Sequence, residues 1–271
     1  MNRAFKRVFN TVTVFLLSII FFQSVYAQKL IIRVDQNGFP ATYLQDGSWQ
    51  GMDIDFISEL MSRASEQYEF VDIPFPRALT KIELGMIHMI PNLVKNSARS
   101  EYMHWLGPNR VTCIGLVVQQ STLGQTIEST DELIRVAQEK KQKIGYLTDA
   151  SYSPYMDERL KNDPVLKDLL YFLPDNVQHR ELLKSGEILG YFHDAFEIQY
   201  RLKDPLFATD YEGLAVHDYR IEDSCIGAYL GVSKKLDYSV YQSLFSAFEK
   251  MKEDGSFAEI HRKWVGKDPY F

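Results

Sequence analysis

The sequence predicts an α/β protein of two lobes, each a mostly parallel sheet flanked by helices, with two crossing strands joining them. Three patterns predict it. Over residues 29–94, short runs rich in β-branched residues alternate with segments of helical period in the order βαβαβ, which favours parallel strands with helices on the sheet faces. From residue 121 onward the alternation begins again, and two amphipathic helices, DYSVYQSLFSAFEKMKEDG and SFAEIHRKW, close the chain. Residues 28–110 and 231–271 are therefore assigned to one lobe and residues 111–230 to the other, a pairing suited to hinge closure over a ligand.

In chain order, KLIIRV is a strand, DQNGFPATYLQDGSWQG a punctuated loop, and MDIDFISELMSRASE a helix with Met52, Ile54, Phe56, Ile57, Leu60 and Met61 at near-helical spacing. The loop leaves the carboxyl end of the first strand, where open α/β sheets place ligands. Phe39 within it reads either as a stacking platform or as an aromatic tucked into a local core. YEFVDIPFPRALTKIELG is a strand ending near Pro74 and a helix through Leu84, closed by Gly85; IHMIPNLV is a third strand. A polar turn, Lys95-Asn96-Ser97-Ala98, then presents Arg99. An Arg so placed offers a planar fork of donors to a carboxylate, with the turn's N–H groups beside it. A solvated charge or a structural ion pair is the other reading. Trp105-Leu106-Gly107-Pro108 forms an aromatic-proline block before the apolar run from Cys113 to Val118.

The second lobe repeats the scheme. Residues 121–143 hold a polar loop and the helix DELIRVAQEKK, capped by Ser129 or Thr130. KIGYLTDASYSPYMDERL gives a strand, a loop and a helix starting at Ala150-Ser151-Tyr152, where free N–H groups suit an anion. VLKDLLYFL, a loop DNVQHR, a helix ELLKSG and a strand EILGYFHD lead to Asp194. Asp194 faces a cleft or caps the helix AFEIQYRL, and the pattern weighs both equally. SCIGAYLGVSK is the strand that returns to the first lobe.

Arg3, Lys6 and Arg7, the apolar residues 11–22 and the small-residue site Val25-Tyr26-Ala27 read as a secretory signal peptide, residues 1–27. Its removal takes three positive charges from a chain of net charge -6, leaving -9 over 244 residues. Such acidity, without a basic aromatic patch, argues against nucleic acid as a partner. Two cysteines remain, Cys113 and Cys225; in an oxidising compartment they pair or stay as separate core thiols, and the reading leans to a disulfide. Six scattered His residues, with no HExxH or CxxC, give no metal site, and no phosphate loop or GxSxG calls for a cofactor or nucleophile.

Five fragments in order, FPATYLQDGSWQGMDIDF, LGMIHMIPNLVKNSARSEYMHWLGPN, KIGYLTDAS, LLKSGEILGYFHD and FSAFEKMKEDGSFAEIHRKWVG, resemble the extracellular solute-binding proteins of family 3, the periplasmic amino-acid-binding type of ABC importers. The resemblance covers essentially the whole mature chain and implies the two-lobed periplasmic binding fold. It implies that Arg99 grips a ligand's α-carboxylate, that Asp194 pairs with its α-ammonium, and that Phe39 stacks over it. Asn92 and Asn96 would lie in the binding strand and turn, and Ala150 with Ser151 would offer hydrogen bonds to the carboxylate. His88 and Leu189 stand where the family usually has Asp. PFPRAL resembles a divergent branch with an aromatic-x-Arg-Ala there, which brings Phe75 and Arg77 toward the cleft.

The leading expectation is a monomeric periplasmic protein that captures a small polar ligand, an amino acid or related zwitterion, for an ABC permease. A membrane receptor in place of the permease would make it a sensor component. The rival from another class is a dehydratase-like enzyme on the same scaffold, with His88, His193, Asp194 or Glu197 as acid or base, none of them in a recognisable catalytic spacing.

Overall fold

The computed structural model describes residues 29–266, so the signal-peptide reading lies outside the described residues. Two five-stranded sheets organise the chain. The first comprises β1 (Leu30–Val34), β5 (Tyr68–Asp72), β6 (Met89–Val94), β7 (Met103–Thr112) and β13 (Ile226–Ser233), in the order β5-β1-β6-β13-β7. The second comprises β8 (Ile114–Gln119), β9 (Lys143–Leu147), β10 (Leu170–Leu173), β11 (Ile188–Asp194) and β12 (Leu214–Arg220), in the order β10-β9-β11-β8-β12.

Each sheet is mixed. β5, β1 and β6 run parallel, as do β10, β9 and β11, while β13 and β7 in one sheet and β8 and β12 in the other pair antiparallel. Topology explains the two halves: the parallel strands are joined to one another through crossover helices, and the antiparallel ones lie next to the places where the chain passes between sheets.

Local chemistry sets the helices. α1 (Met52–Ala64) buries Met52, Ile54, Phe56, Ile57, Leu60 and Met61, and the last four share a core with β1 and the closing helices α9 (Tyr238–Glu253) and α10 (Ser256–Val265). Its first N–H groups are met by loop carbonyls, Met52 N–H donating to Pro40 O at 3.0 Å and Asp53 N–H to Ala41 O at 2.9 Å. That close approach requires Gly51, whose φ is 129° and where a Cβ would lie 2.2 Å from the Ala41 oxygen. The loop itself folds into a small sheet of β2 (Asn37–Gly38), β3 (Thr42–Gln45) and β4 (Ser48–Gln50), which the sequence pattern did not show.

Four expectations are corrected. The aromatic-proline block is part of the ten-residue strand β7, which tolerates Pro108 because it is an edge strand with an irregular register opposite Ala228–Leu230. The helix α5 (Pro154–Asn162) begins after Ser153, which accepts from Met156 N–H, and not at Ala150-Ser151-Tyr152; Pro154 at the first helical position fixes the start. DNVQHR is no loop: Asp175 caps α7 (Asn176–Ser185) by accepting from Gln178 N–H. The crossings lie at Cys113 and at residues 221–225, so β13 already belongs to the first sheet at Ile226, ahead of the boundary drawn at 231. Cys113 and Cys225 are disulfide-bonded and tie the two crossings together.

Candidate functional site

Between the sheets lies a cavity of about 690 Å3, lined by Phe75, Arg77, Asn92, Arg99, Ala150, Ser151 and Asp194 among others. Seven of the nine ligand-site residues expected from the sequence therefore meet in one place. Phe39 and Asn96 do not line it. The Phe39 ring packs on Tyr43 and Phe207, with centroids 5.0 and 4.9 Å away, so the local-core reading describes it better than a stacking platform. Asn96 sits at a smaller neighbouring hollow and caps the short helix α3 (Ser97–Ser100) by accepting from Arg99 N–H at 2.9 Å.

Arg99 is 5 % exposed at the end of that cap. Nη1 donates to Val94 O at 3.1 Å and Nη2 to Asp149 O of the opposite lobe at 2.9 Å. Among the described residues no carboxylate lies within ion-pair distance of it. Burial pulls its pKa below the ordinary arginine value, yet a guanidinium stays charged. Two guanidinium carbons lie near the centroid of the Phe75 ring, Arg99 at 5.6 Å and Arg33 at 5.7 Å. Arg77, exposed at the rim, has no ion pair among the described residues.

The Asp194 carboxylate is already engaged. Oδ2 accepts from Arg110 Nη1 at 2.6 Å and Thr112 Oγ1 at 2.7 Å, and Oδ1 accepts from Phe196 N–H at 2.9 Å as the cap of α8 (Ala195–Arg201). Both sequence readings of Asp194 thus hold at once: it lines the cleft and caps a helix. Glu197 accepts from Arg110 Nη2 at 3.3 Å and from Asn92 Nδ2 at 3.4 Å, and pairs with Arg201 at 3.6 Å. Burial, and then the charge of Asp194, push the Glu197 carboxyl up to about 8. Asp53 beneath them accepts from Asn109 Nδ2 at 3.0 Å, and burial raises its pKa as well. His193 is driven by burial down to about 3 and is neutral, while His88 accepts from Ile31 N–H through Nδ1 at 2.8 Å, outside the cavity. The Ser151 hydroxyl donates to Asp157 at 2.6 Å.

Arg110, Glu197 and Arg201 complete this cluster, and the sequence reading gave no ligand-site role to any of them. One signal was present: Glu197 and Arg201 stand four apart on one short helix. Arg201 also bridges the lobes. Its Nε donates to Phe39 O at 3.0 Å and its Nη2 to Asn37 O, while Nη1 donates to Tyr211 Oη at 3.0 Å. Among the described residues no group of three or more His, Cys, Asp or Glu is placed to hold a metal, and no helix is long and apolar enough to cross a membrane.

Two lobes stapled at their crossings, with a buried, charged cleft between them, define a ligand-enclosing protein of the periplasmic binding fold. The chain belongs to the bacterial extracellular solute-binding proteins, family 3, which it matches over residues 30–267. It is 29% identical over 135 residues to "Putative ABC transporter arginine-binding protein 2" of Escherichia coli (strain K12), 49% of this chain and 51% of that protein, so the match spans about half the length of that curated relative. Among solved structures it resembles the arginine-, lysine-, histidine-binding protein ArtJ of Geobacillus stearothermophilus, with a TM-score of 0.71 at 17% identity over 90% of this chain and 97% of that one. A histidine kinase sensor domain with similarity to periplasmic binding proteins gives a TM-score of 0.71 at 13% identity over 89% and 98%. At these identities the structural likenesses speak to the fold.

Proposed function

We propose that the protein captures a small polar, carboxylate-bearing ligand, an amino acid or a close relative of one, by closing its two lobes, and hands it to an ABC permease. The single observation that carries this is Arg99: a buried guanidinium on the cleft wall, held by two carbonyls and facing a cavity large enough for such a ligand. A ligand carboxylate supplies the charge that those carbonyls do not. The E. coli relative and ArtJ, by their names, bind basic amino acids, which fits the size and polarity of the cleft. In this reading the chain is a monomer exported through the signal peptide to the periplasm, with the lobe of residues 29–112 and 226–266 moving against that of residues 114–220.

Binding is favoured over catalysis because the raised carboxyl of Glu197 sits among Arg110, Arg201 and Asn92 and is held by them, and His193 is locked neutral. Phe75, Arg77, Asn92, Ala150 and Ser151 shape the ligand's surroundings. The neighbouring sensor-domain fold keeps a membrane receptor as the second possible recipient of the closed form.

A thermal-shift screen of amino acids and organic acids, followed by calorimetry on the hits, tests the proposal, since a ligand bound only by the folded state raises the melting temperature. Arg99→Ala is expected to weaken the best ligand by about 2–5 kcal/mol, the cost of stripping one partner from a buried charge pair. A variant that folds and binds as tightly as the native protein removes Arg99 from the site.

A further inference from the structure

The charges around the cleft divide into those balanced within the protein and those left over. A carboxylate has about four lone-pair positions. On Asp194, Arg110 Nη1, Thr112 Oγ1 and Phe196 N–H occupy three of them, and Arg110 itself is 2 % exposed. Glu197 is shared by Arg110, Arg201 and Asn92. Asp35 accepts from Arg33 at 3.4 Å and from Asn37 N–H at 2.9 Å, Asp175 caps α7, and Asp72 stands exposed at the mouth beside Arg33. Set against them, Arg99 has only carbonyl partners. Asp53, on the same wall, accepts from Asn109 through one oxygen and has no partner on the other, and burial favours its neutral, protonated form. The inner cleft therefore has a cation to spare, while its carboxyl groups are bonded by the protein or, at Asp53, pushed by burial toward the uncharged form.

We infer that Arg110 holds, from within the protein, the position on Asp194 that a ligand's α-ammonium would fill, so that the cleft selects by carboxylate and takes α-hydroxy acids as well as amino acids. The inference rests on the capture reading above and narrows what that capture recognises. An ammonium reaching Asp194 meets a carboxylate whose charge is already matched, with the guanidinium of Arg110 2.6 Å from the same oxygen and that of Arg201 paired to Glu197 at the far end of the same helix. In a water-poor cleft that like-charge approach offsets most of the attraction. A hydroxyl carries no charge and needs one acceptor, which the open position on Oδ1 supplies. The Tyr152 hydroxyl, buried at the cleft wall near Leu147 without a well-formed hydrogen bond, is a second neutral partner.

Calorimetry on the purified protein with matched pairs tests this: glutamate against α-hydroxyglutarate, phenylalanine against phenyllactate, arginine against its α-hydroxy analogue. Each pair swaps the ammonium for a hydroxyl and keeps carboxylate and side chain. In any pair that binds, the α-hydroxy acid is expected to bind within about tenfold of the amino acid, or more tightly. An α-hydroxy acid more than about tenfold weaker overturns the inference and leaves the capture reading intact. If no member of any pair and no compound of the wider screen binds, the capture reading falls and the inference with it. Arg110→Gln, with its folding checked by circular dichroism, is expected to move the pair ratio toward the amino acid by more than about tenfold. A folded variant with the native ratio overturns the role of Arg110.

Discussion

Arg201→Met tests whether closure is held by protein contacts as well as by the ligand. The guanidinium comes from α8 of the second lobe and donates to Phe39 O and Asn37 O of the first, beside the cross-lobe contact of Phe207 on the Phe39 ring. Hydrogen bonds from a charged donor contribute about 1.5–3 kcal/mol each. Water replaces the carbonyls when the lobes part, so the lower value applies, and two such bonds favour the closed form by about 3 kcal/mol. Met keeps the apolar stem, and Glu197, raised to about 8 and so mostly protonated at neutral pH, tolerates losing this partner. If affinity scales with the population of the closed form, the dissociation constant should rise by up to about 150-fold. Calorimetry with the best ligand of the screen gives the affinity, and small-angle scattering of the ligand-free protein should show a larger radius of gyration. Tyr211→Phe is the control: it removes the same-lobe partner at 3.0 Å and leaves both cross-lobe bonds, so its effect should stay near about 1 kcal/mol. An Arg201→Met protein with native affinity and native dimensions would show that these bonds carry no closure energy.

Two further expectations concern stability. Because the folded protein holds the Glu197 proton up to about pH 8 and the unfolded chain releases it near 4.5, stability should fall as pH rises through that window; Glu197→Gln should flatten the melting temperature there, and an unchanged slope would assign it to another group such as Asp53. The disulfide closes a loop of 112 residues, so Cys113→Ala with Cys225→Ala should lower stability by about 2–5 kcal/mol in urea denaturation without abolishing ligand binding. Loss of binding in a folded double variant would show that the staple also shapes the cleft.

The sequence made legible what depends on one residue and its period. α1, β6, α9 and α10 lie where apolar spacing put them, and Arg99 lies where a polar turn ending a strand put it. Elements whose pattern is broken were less legible. β7 carries Gly107 and Pro108 in mid-strand, which reads as an interruption until the edge position of the strand is known. β12, LAVHDYR, mixes buried and exposed positions irregularly, and the two-residue β2 is too short to show a period. Within the site, isolated residues were found and pairs were not: Arg110 and Asp194 are 84 positions apart, and Arg201 and Asn37 are 164 apart. Whether a carboxylate is free for a ligand or taken by the protein is a fact about such pairs.

The distribution of polar contacts between the lobes follows from distance to the pivot. Arg110–Asp194 lies next to the crossing at Cys113, whose carbonyl accepts from Ala195 N–H at 2.7 Å, and Asn109–Asp53 is a contact within the first lobe. Opening this pair would hydrate both charges, and desolvating them again on closure would offset much of their attraction, so a hinge that broke the pair would gain little closing energy from it. Placed next to the crossing, the pair would move little as the lobes part. Other contacts across the lobes, Arg99 to Asp149 O, Arg201 to Phe39 O and Asn37 O, and Tyr200 to Trp264 O, use neutral carbonyls, and Asn92 meets the Glu197 carboxyl. Water can replace a carbonyl at modest cost, which keeps open and closed forms within the few kcal/mol that one small ligand can tip.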